Sequence, residues 1–250
     1  AFRRLIHNWE NSAQREDIIE DIITHRCSFL IDRALRGLAL DFDEALSILR
    51  NHNNFTTERE RLQHEILVAA IDNLIDFAAA EEVTMISELP EEIDEECLLD
   101  YETICEQYNL TYAEAENEQV LFAAKMAAWW MAVNAESVIT YMTQGDERVR
   151  PWHLSLEGVS YRKSEFPAEL IPPIEWGCRC YLIANGFAGV RASLSIDKCR
   201  SMVDPVFHES LATGGRIFTD AHRYFDKPLP EFAQKIVKRL KSKFYEQDNN

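Results

Sequence analysis

Between Arg15 and Arg36 the residues Ile18, Ile19, Ile22, Ile23, Leu30, Ala34 and Leu35 recur at helical spacing. That spacing lines one stripe of an α-helix and does not fit the alternation of a strand, so the chain has to bury a helix face from its first turns. Gly37 reads as the stop of this helix. A shorter helix over Asp41 to Asn51 enters through Asp41 or Asp43 and breaks at NHNNF, Asn51 to Phe55. Thr57 and Glu60 have the spacing of a capping box and open a helix whose stripe is Leu62, Ile66, Leu67, Ala70, Leu74 and Phe77. The first eighty residues therefore predict a helical hairpin bundle.

From Glu81 to Glu106 the chain reads EEVTMISELPEEIDEECLLDYETICE. Pro90 suits a helix start with acids in the first turn, and the acidic run reads as a solvated helix face. A cation site would need carboxylates at ligand spacing around a central Gly, which this run lacks. From Thr111 to about Thr143 the pattern predicts one long helix, apolar nearly all round (Val120, Leu121, Phe122, Met126, Trp129, Trp130, Val133, Val138, Ile139), on which others pack. The paired tryptophans read as core.

After Gly145 the pattern changes. Short β-leaning segments, GVSYRK and CRCYLIA, are separated by Pro167, Pro172 and Pro173 and later by NGFAG, which predicts a small α+β unit with long ordered loops. From Pro230 to Tyr245, Phe232, Ile236, Val237, Leu240 and Phe244 oppose Lys235, Lys238, Arg239, Lys241 and Lys243. This amphipathic basic helix suits a membrane surface, nucleic acid or an acidic partner, and the nearest opposite charge is the acidic helical region of the same chain. The expected fold class is α+β: an acidic helical region over 1–145, a motif domain over 146–228 and the basic helix over 229–250.

Charge narrows the functional classes. The formal net charge is −17, which argues against a protein whose main business is coating nucleic acid, since phosphate contacts need clustered Lys and Arg. Residues 1–145 hold 29 acids and 10 bases, a net of −19, and residues 146–250 hold 14 and 16, a net of +2; the break falls at Gly145. The cysteines Cys27, Cys97, Cys105, Cys178, Cys180 and Cys199 are too irregularly spaced for a dense disulfide framework, so reduced thiols are expected. LFAAKMAAWWMAV, Leu121 to Val133, is well short of the ~20 residues that cross a bilayer and is interrupted by Lys125. A soluble protein without membrane contact is expected.

The chemically richest stretch is GDERVRPWHLSLEG, Gly145 to Gly158, followed by PPIEWGCRCYLIA. Gly145 fits the C-cap of the preceding helix, Asp146 can cap or turn, and Pro151 biases Arg150 toward an extended conformation. Arg148 and Arg150, one residue apart in an extended segment, would project to one face and offer two guanidinium forks to carboxylates or phosphates. Cys178 and Cys180 would likewise share a strand face, with Arg179 opposite. His153, Cys178 and Cys180, joined by Cys199, His208 or His222, form a candidate zinc site. The ordinary reading is buried reduced cysteines beside a hydrogen-bonded histidine. A nucleophilic Cys with His153 as base is the third reading, although no helix start follows the cysteines to depress a thiol pKa.

GDERVRPWHLSLEG followed by IPPIEWGCRC resembles the signature of the phage Mu protein F-like head morphogenesis family: Asp-x-Arg-x-Arg-Pro-x-His, a Leu-x-Gly, Pro-Pro before an aromatic-Gly pair, then Cys-Arg-Cys. The pattern falls on Asp146, Arg148, Arg150, His153, Gly158, Cys178, Arg179 and Cys180. Asp204 to Lys227, DPVFHESLATGGRIFTDAHRYFDK, is similar to the segment that often follows in the family. The resemblance implies a minor head protein of a tailed phage or prophage at the portal vertex or in the head interior, and in the host cytoplasm during assembly. Its partners would be portal protein, scaffold or capsid proteins, with local contact to packaged DNA through the basic helix. It implies no catalytic residue.

The alternative reading is a zinc-dependent or nucleotide-processing enzyme built on the Arg, His and Cys cluster. Against it, HExxH, a phosphate-cradling glycine loop and a deaminase-type Pro-Cys-x-x-Cys are all missing from the sequence. Both readings require the arginine-histidine turn and the Cys-Arg-Cys segment to meet in space.

Overall fold

The computed structural model describes residues 1–51, 54–184 and 195–246. In chain order its elements are α1 (Phe2–His7), α2 (Ser12–Leu38), α3 (Phe42–Leu49), α4 (Glu58–Ser87), α5 (Leu98–Glu106), a π-helical segment (Gln107–Tyr112) and α6 (Ala113–Ala132). Then follow β1 (Val138–Met142), α7 (Pro151–Leu154), β2 (Ser160–Arg162), β3 (Tyr181–Ala184), α8 (Ile196–Arg200) and α9 (Glu231–Tyr245). The architecture is α+β: a helical body carrying a three-stranded antiparallel sheet of order β2-β1-β3. The NGFAG segment lies outside the described residues.

Local signals set most helix starts. Asn11 Oδ1 accepts the Gln14 amide, and full capping boxes, Asp41 with Glu44 and Thr57 with Glu60, open α3 and α4. Gly37 is not the stop of α2: the helix runs through it to Leu38, and Ala39 at φ 57° supplies the left-handed cap. Gly37 is buried where α2 meets α6, and only a residue without Cβ fits there. Pro90 follows the end of α4 and does not begin a helix. It cannot continue a helix, and here it separates α4 from α5.

The long helix expected over 111–143 ends at Ala132. Val133 turns extended, the Asn134 side chain accepts the Glu136 amide, and Val138–Met142 becomes β1, the central strand. Lys163 reinforces the break by donating from Nζ to the carbonyls of Trp130 (2.6 Å) and Val133 (2.7 Å) at the end of α6. Gly145, at φ +65°, therefore follows a strand, so it is no helix cap. β1 pairs with β2 from Val138↔Arg162 to Thr140↔Ser160 and with β3 from Ile139↔Ala184 to Met142↔Tyr181. The sheet thus straddles the charge break at 145.

One hydrophobic core runs from Leu5 of α1 through α2, α4 and α6 to Ile139, Cys178, Phe218 and Leu240. The acidic run is not all solvated. Glu81 and Glu82 are fully buried in α4, where Arg26 of α2 pairs with Glu81 and with Glu116 of α6 and donates to Asn117 Oδ1 at 2.8 Å. Tyr224 donates to Glu116 at 2.9 Å. Both Glu82 oxygens are buried without a hydrogen bond, and burial pushes its carboxyl up to about 7.

The basic helix α9 lies on the acidic helices of its own chain. Arg239 pairs with Glu20 (2.7 Å), Lys241 with Asp76 (2.9 Å), and Tyr245 donates to Asp72 (2.9 Å), while Ala233, Ile236 and Leu240 enter the core. Between sheet and tail, the loop carrying Ile217 and Phe218 is held by Asn73 of α4, which accepts from both backbone amides and donates to the Phe218 carbonyl at 2.8 Å.

Candidate functional site

The motif is built by a turn, a helical turn and an extended segment that converge on the sheet. After β1, residues Asp146 to Val149 form a turn; Arg150 is extended, and Pro151 begins α7. This places His153 on the inner side of α7, 2% exposed. Gly158, at φ +79°, donates to the Tyr141 carbonyl (2.9 Å), and Tyr141 N–H donates to Val159 (2.8 Å), so the chain re-enters the sheet at once. A left-handed residue is needed at that corner, which accounts for a glycine in the motif. Opposite, Cys178 to Cys180 lead into β3 with Cys178 and Cys180 buried and Arg179 turned outward.

His153 Nδ1 lies 3.3 Å from Cys180 Sγ, and His153 Nε2 lies 2.8 Å from Glu175 Oε1, off the line of the ring N–H bond. One ligand atom each from His153, Cys178 and Cys180 falls within 4.8 Å of the others, and all three residues are buried. Arg150 reaches the same acid from outside, with Nε 2.6 Å from Glu175 Oε1, and donates from Nη2 to the Trp176 carbonyl at 2.6 Å. The Tyr141 hydroxyl, from the central strand, is buried beside both sulfurs and meets hydrogen-bond geometry with neither.

The two thiols do not ionise alike. The hydrogen bond from Cys180, with help from His153, draws the Cys178 thiol well below its ordinary value, and the same hydrogen bond, with burial, pushes Cys180 up. Burial and the adjoining sulfurs hold Tyr141 protonated.

The remaining motif residues do structural work at the surface. Arg179 pairs with Asp146 at 2.6 Å and holds its carboxyl below the usual range, and Asp146 also accepts the Arg148 amide. Arg148 sits in the turn and not in an extended segment, so it does not share a face with Arg150 as alternation predicts: Arg148 is exposed, whereas Arg150 turns in to Glu175. Of the further ligand candidates, Cys199 contacts Ser155 at 3.8 Å, and His208 Nε2 lies 3.1 Å from the Val203 carbonyl. His222 sits among Phe77, Trp176, Phe218 and Tyr224, where burial lowers its pKa to about 4. None of the three joins the cluster of His153 with Cys178 and Cys180.

Sequence reasoning missed Glu175 and Tyr141. Glu175 stands in PPIEW, three residues before Cys178, and a lone acid there carried no pattern. Tyr141 belonged to VITYM, whose β-branched alternation was the available sign of a strand.

Residues 84–183 match the family model described as Phage Mu protein F like protein. Residues 84–183, two fifths of the chain, thus form a segment similar to the phage Mu protein F-like family. The Mu F-like segment starts in the last turns of α4 and ends in β3, so it takes in the π-helical turn, α6 and every residue of the cluster. It reaches further upstream than the motif and stops before Asp204. An uncharacterized protein of Methanocaldococcus jannaschii is 50% identical over 42 residues, which is 17% of this chain and 7% of that protein. The chain thus aligns with only a small part of that relative. No solved structure matches the chain.

A thiol, an imidazole and a carboxylate in a row, as in Cys180, His153 and Glu175, match the order of a nucleophile, base and orienter. Burial argues against that use: Cys180 and His153 are each 2% exposed, which leaves a carbonyl substrate little access to the sulfur. The Mu F-like segment suggests a phage head morphogenesis protein.

Proposed function

We propose that the chain is a minor head protein of a tailed phage or prophage that binds portal, scaffold or capsid protein through its acidic helical body and serves head assembly, DNA packaging or ejection. The observation that carries this reading is the Mu F-like segment, whose His153, Cys178 and Cys180 are buried in a knot between α7 and the segment leading into β3. The placement of α9 supports a protein contact over a DNA contact. Arg239 and Lys241 are spent on Glu20, Asp72 and Asp76, so much of the basic face already has an acidic partner. Where the chain acts, the head interior or the portal vertex, belongs to the same proposal, as does its presence in the host cytoplasm during assembly.

Affinity purification of portal protein from assembling heads, with the chain followed by mass spectrometry, tests the reading. Co-purification with portal or with proheads is expected. Absence from both proheads and mature particles would sink it.

A further inference from the structure

We propose that His153, Cys178 and Cys180 bind one thiophilic divalent ion, zinc by its ligand chemistry, as a closed structural centre that fastens α7 to the segment leading into β3. The reading does not depend on a role in phage heads.

Four features of the cluster carry it. The three ligand atoms lie within 4.8 Å of one another although they come from segments 25 residues and more apart, so one ion can reach all of them. Two sulfurs and an imidazole are the donors that tetrahedral zinc takes in structural sites. Behind the imidazole, Glu175 Oε1 stands 2.8 Å from Nε2, on the nitrogen that faces away from the sulfurs, where a metal-bound histidine ordinarily has a carboxylate to fix its orientation. On the sulfur side, the Tyr141 hydroxyl is buried without a hydrogen-bond partner. A polar atom in that state costs free energy unless something meets it, and it is the oxygen offered to the fourth position.

Charge closes in the same way. On binding, each thiol releases its proton to solvent, leaving two thiolates and a neutral imidazole around a doubly charged ion, a neutral assembly that a buried site tolerates. Glu175 is balanced separately by Arg150 at 2.6 Å. The competing uses fit less well. Catalysis by Cys180 needs access that a residue 2% exposed lacks, and bare thiols leave the Tyr141 hydroxyl without a hydrogen bond of normal geometry.

The full chain, produced without an affinity tag, is assayed for metal by mass spectrometry after dialysis, beside C178S, C180S, E175Q and C97S. On the order of one zinc per chain is expected in the unaltered protein and in C97S, whose sulfur lies outside the cluster, with loss in C178S and C180S. E175Q retains all three ligands and should bind zinc about 10–100-fold more weakly in competition with a chelator. Should the Cys→Ser variants misfold, cobalt loading of the unaltered chain decides: tetrahedral visible bands with sulfur-to-cobalt charge transfer support the site. Metal-free protein with two alkylatable thiols, a Cys178 to Cys180 disulfide, or a cobalt complex without sulfur charge transfer each overturns it.

Discussion

Gly37 of α2 packs directly on Ala124 of α6, and a Cβ built on Gly37 would also stand 2.8 Å from the Leu121 carbonyl oxygen and 3.0 Å from the Lys125 nitrogen. Two of those neighbours are helix backbone and cannot rotate away, so the contact sets how closely the two helices approach. G37A gains helix propensity of roughly 1 kcal/mol and meets overpacking of about 1–3 kcal/mol. The variant is expected to unfold at lower urea concentration. An unchanged or higher midpoint would show that α2 and α6 slide apart freely.

Glu82 makes stability depend on pH. Its carboxyl titrates near 7 in the folded chain against 4.5 for an ordinary glutamate, with burial the main cause, Arg26 opposing it and Glu116 adding to it. Because the folded value is the higher one, the contribution is fully present below about pH 4.5 and is lost as pH rises through about 7. Glu81, Arg26, Glu116 and Cys105 face the same space, and Glu81 is itself raised well above the ordinary glutamate value, mainly by burial. A difference of that size corresponds to about 3 kcal/mol. E82Q should be more stable than the unaltered chain at pH 8 and lose that advantage toward pH 5 in urea titrations. The same gain at both pH values would mean that Glu82 does not titrate in this range.

Asn73 holds Ile217 and Phe218 by three buried backbone hydrogen bonds, and Phe218 stacks on Phe77 and Trp176. N73A leaves those amides and that carbonyl without partners at a cost of about 3 kcal/mol. Loss of near-ultraviolet circular dichroism and a shift in tryptophan emission should accompany the drop in stability. Retention of both signals would place the rigidity of this loop elsewhere.

Lys163 ends α6 from a distance, across the start of the sheet. K163M keeps the side-chain stem and removes the donor to the Trp130 and Val133 carbonyls, which should destabilise by about 1–2 kcal/mol. Amide exchange is expected to quicken in the last turn of α6 and in β1 before it does in α2. Uniform quickening over the whole chain would argue that Lys163 acts on global stability alone.

Much of this protein is legible in its residues because the signals are local. The helix entry at Asp41, the capping box at Thr57, the apolar stripe of α2 and the amphipathic α9 all depend on neighbours within a few positions, and the structure keeps them. The order of motif residues around His153 and Cys178 likewise led to the Mu F-like family. Local spacing misled where a distant residue decided the outcome. Val138 to Met142 is hydrophobic enough for a helix and becomes a strand because β2 and β3 pair with it from both sides while Lys163 closes α6. Gly37 reads as a stop and is instead the floor of a helix contact made by Ala124.

Tertiary structure alone placed Glu81 and Glu82 in the core and Glu175 and Tyr141 at the cluster. Sequence position carries a side chain's chemistry and its local backbone preference; burial and partnership come from which distant segments pack against it. Arg26 lies 55 residues from Glu81 and 90 from Glu116, so no window of sequence could announce that those carboxylates would be paired inside the bundle.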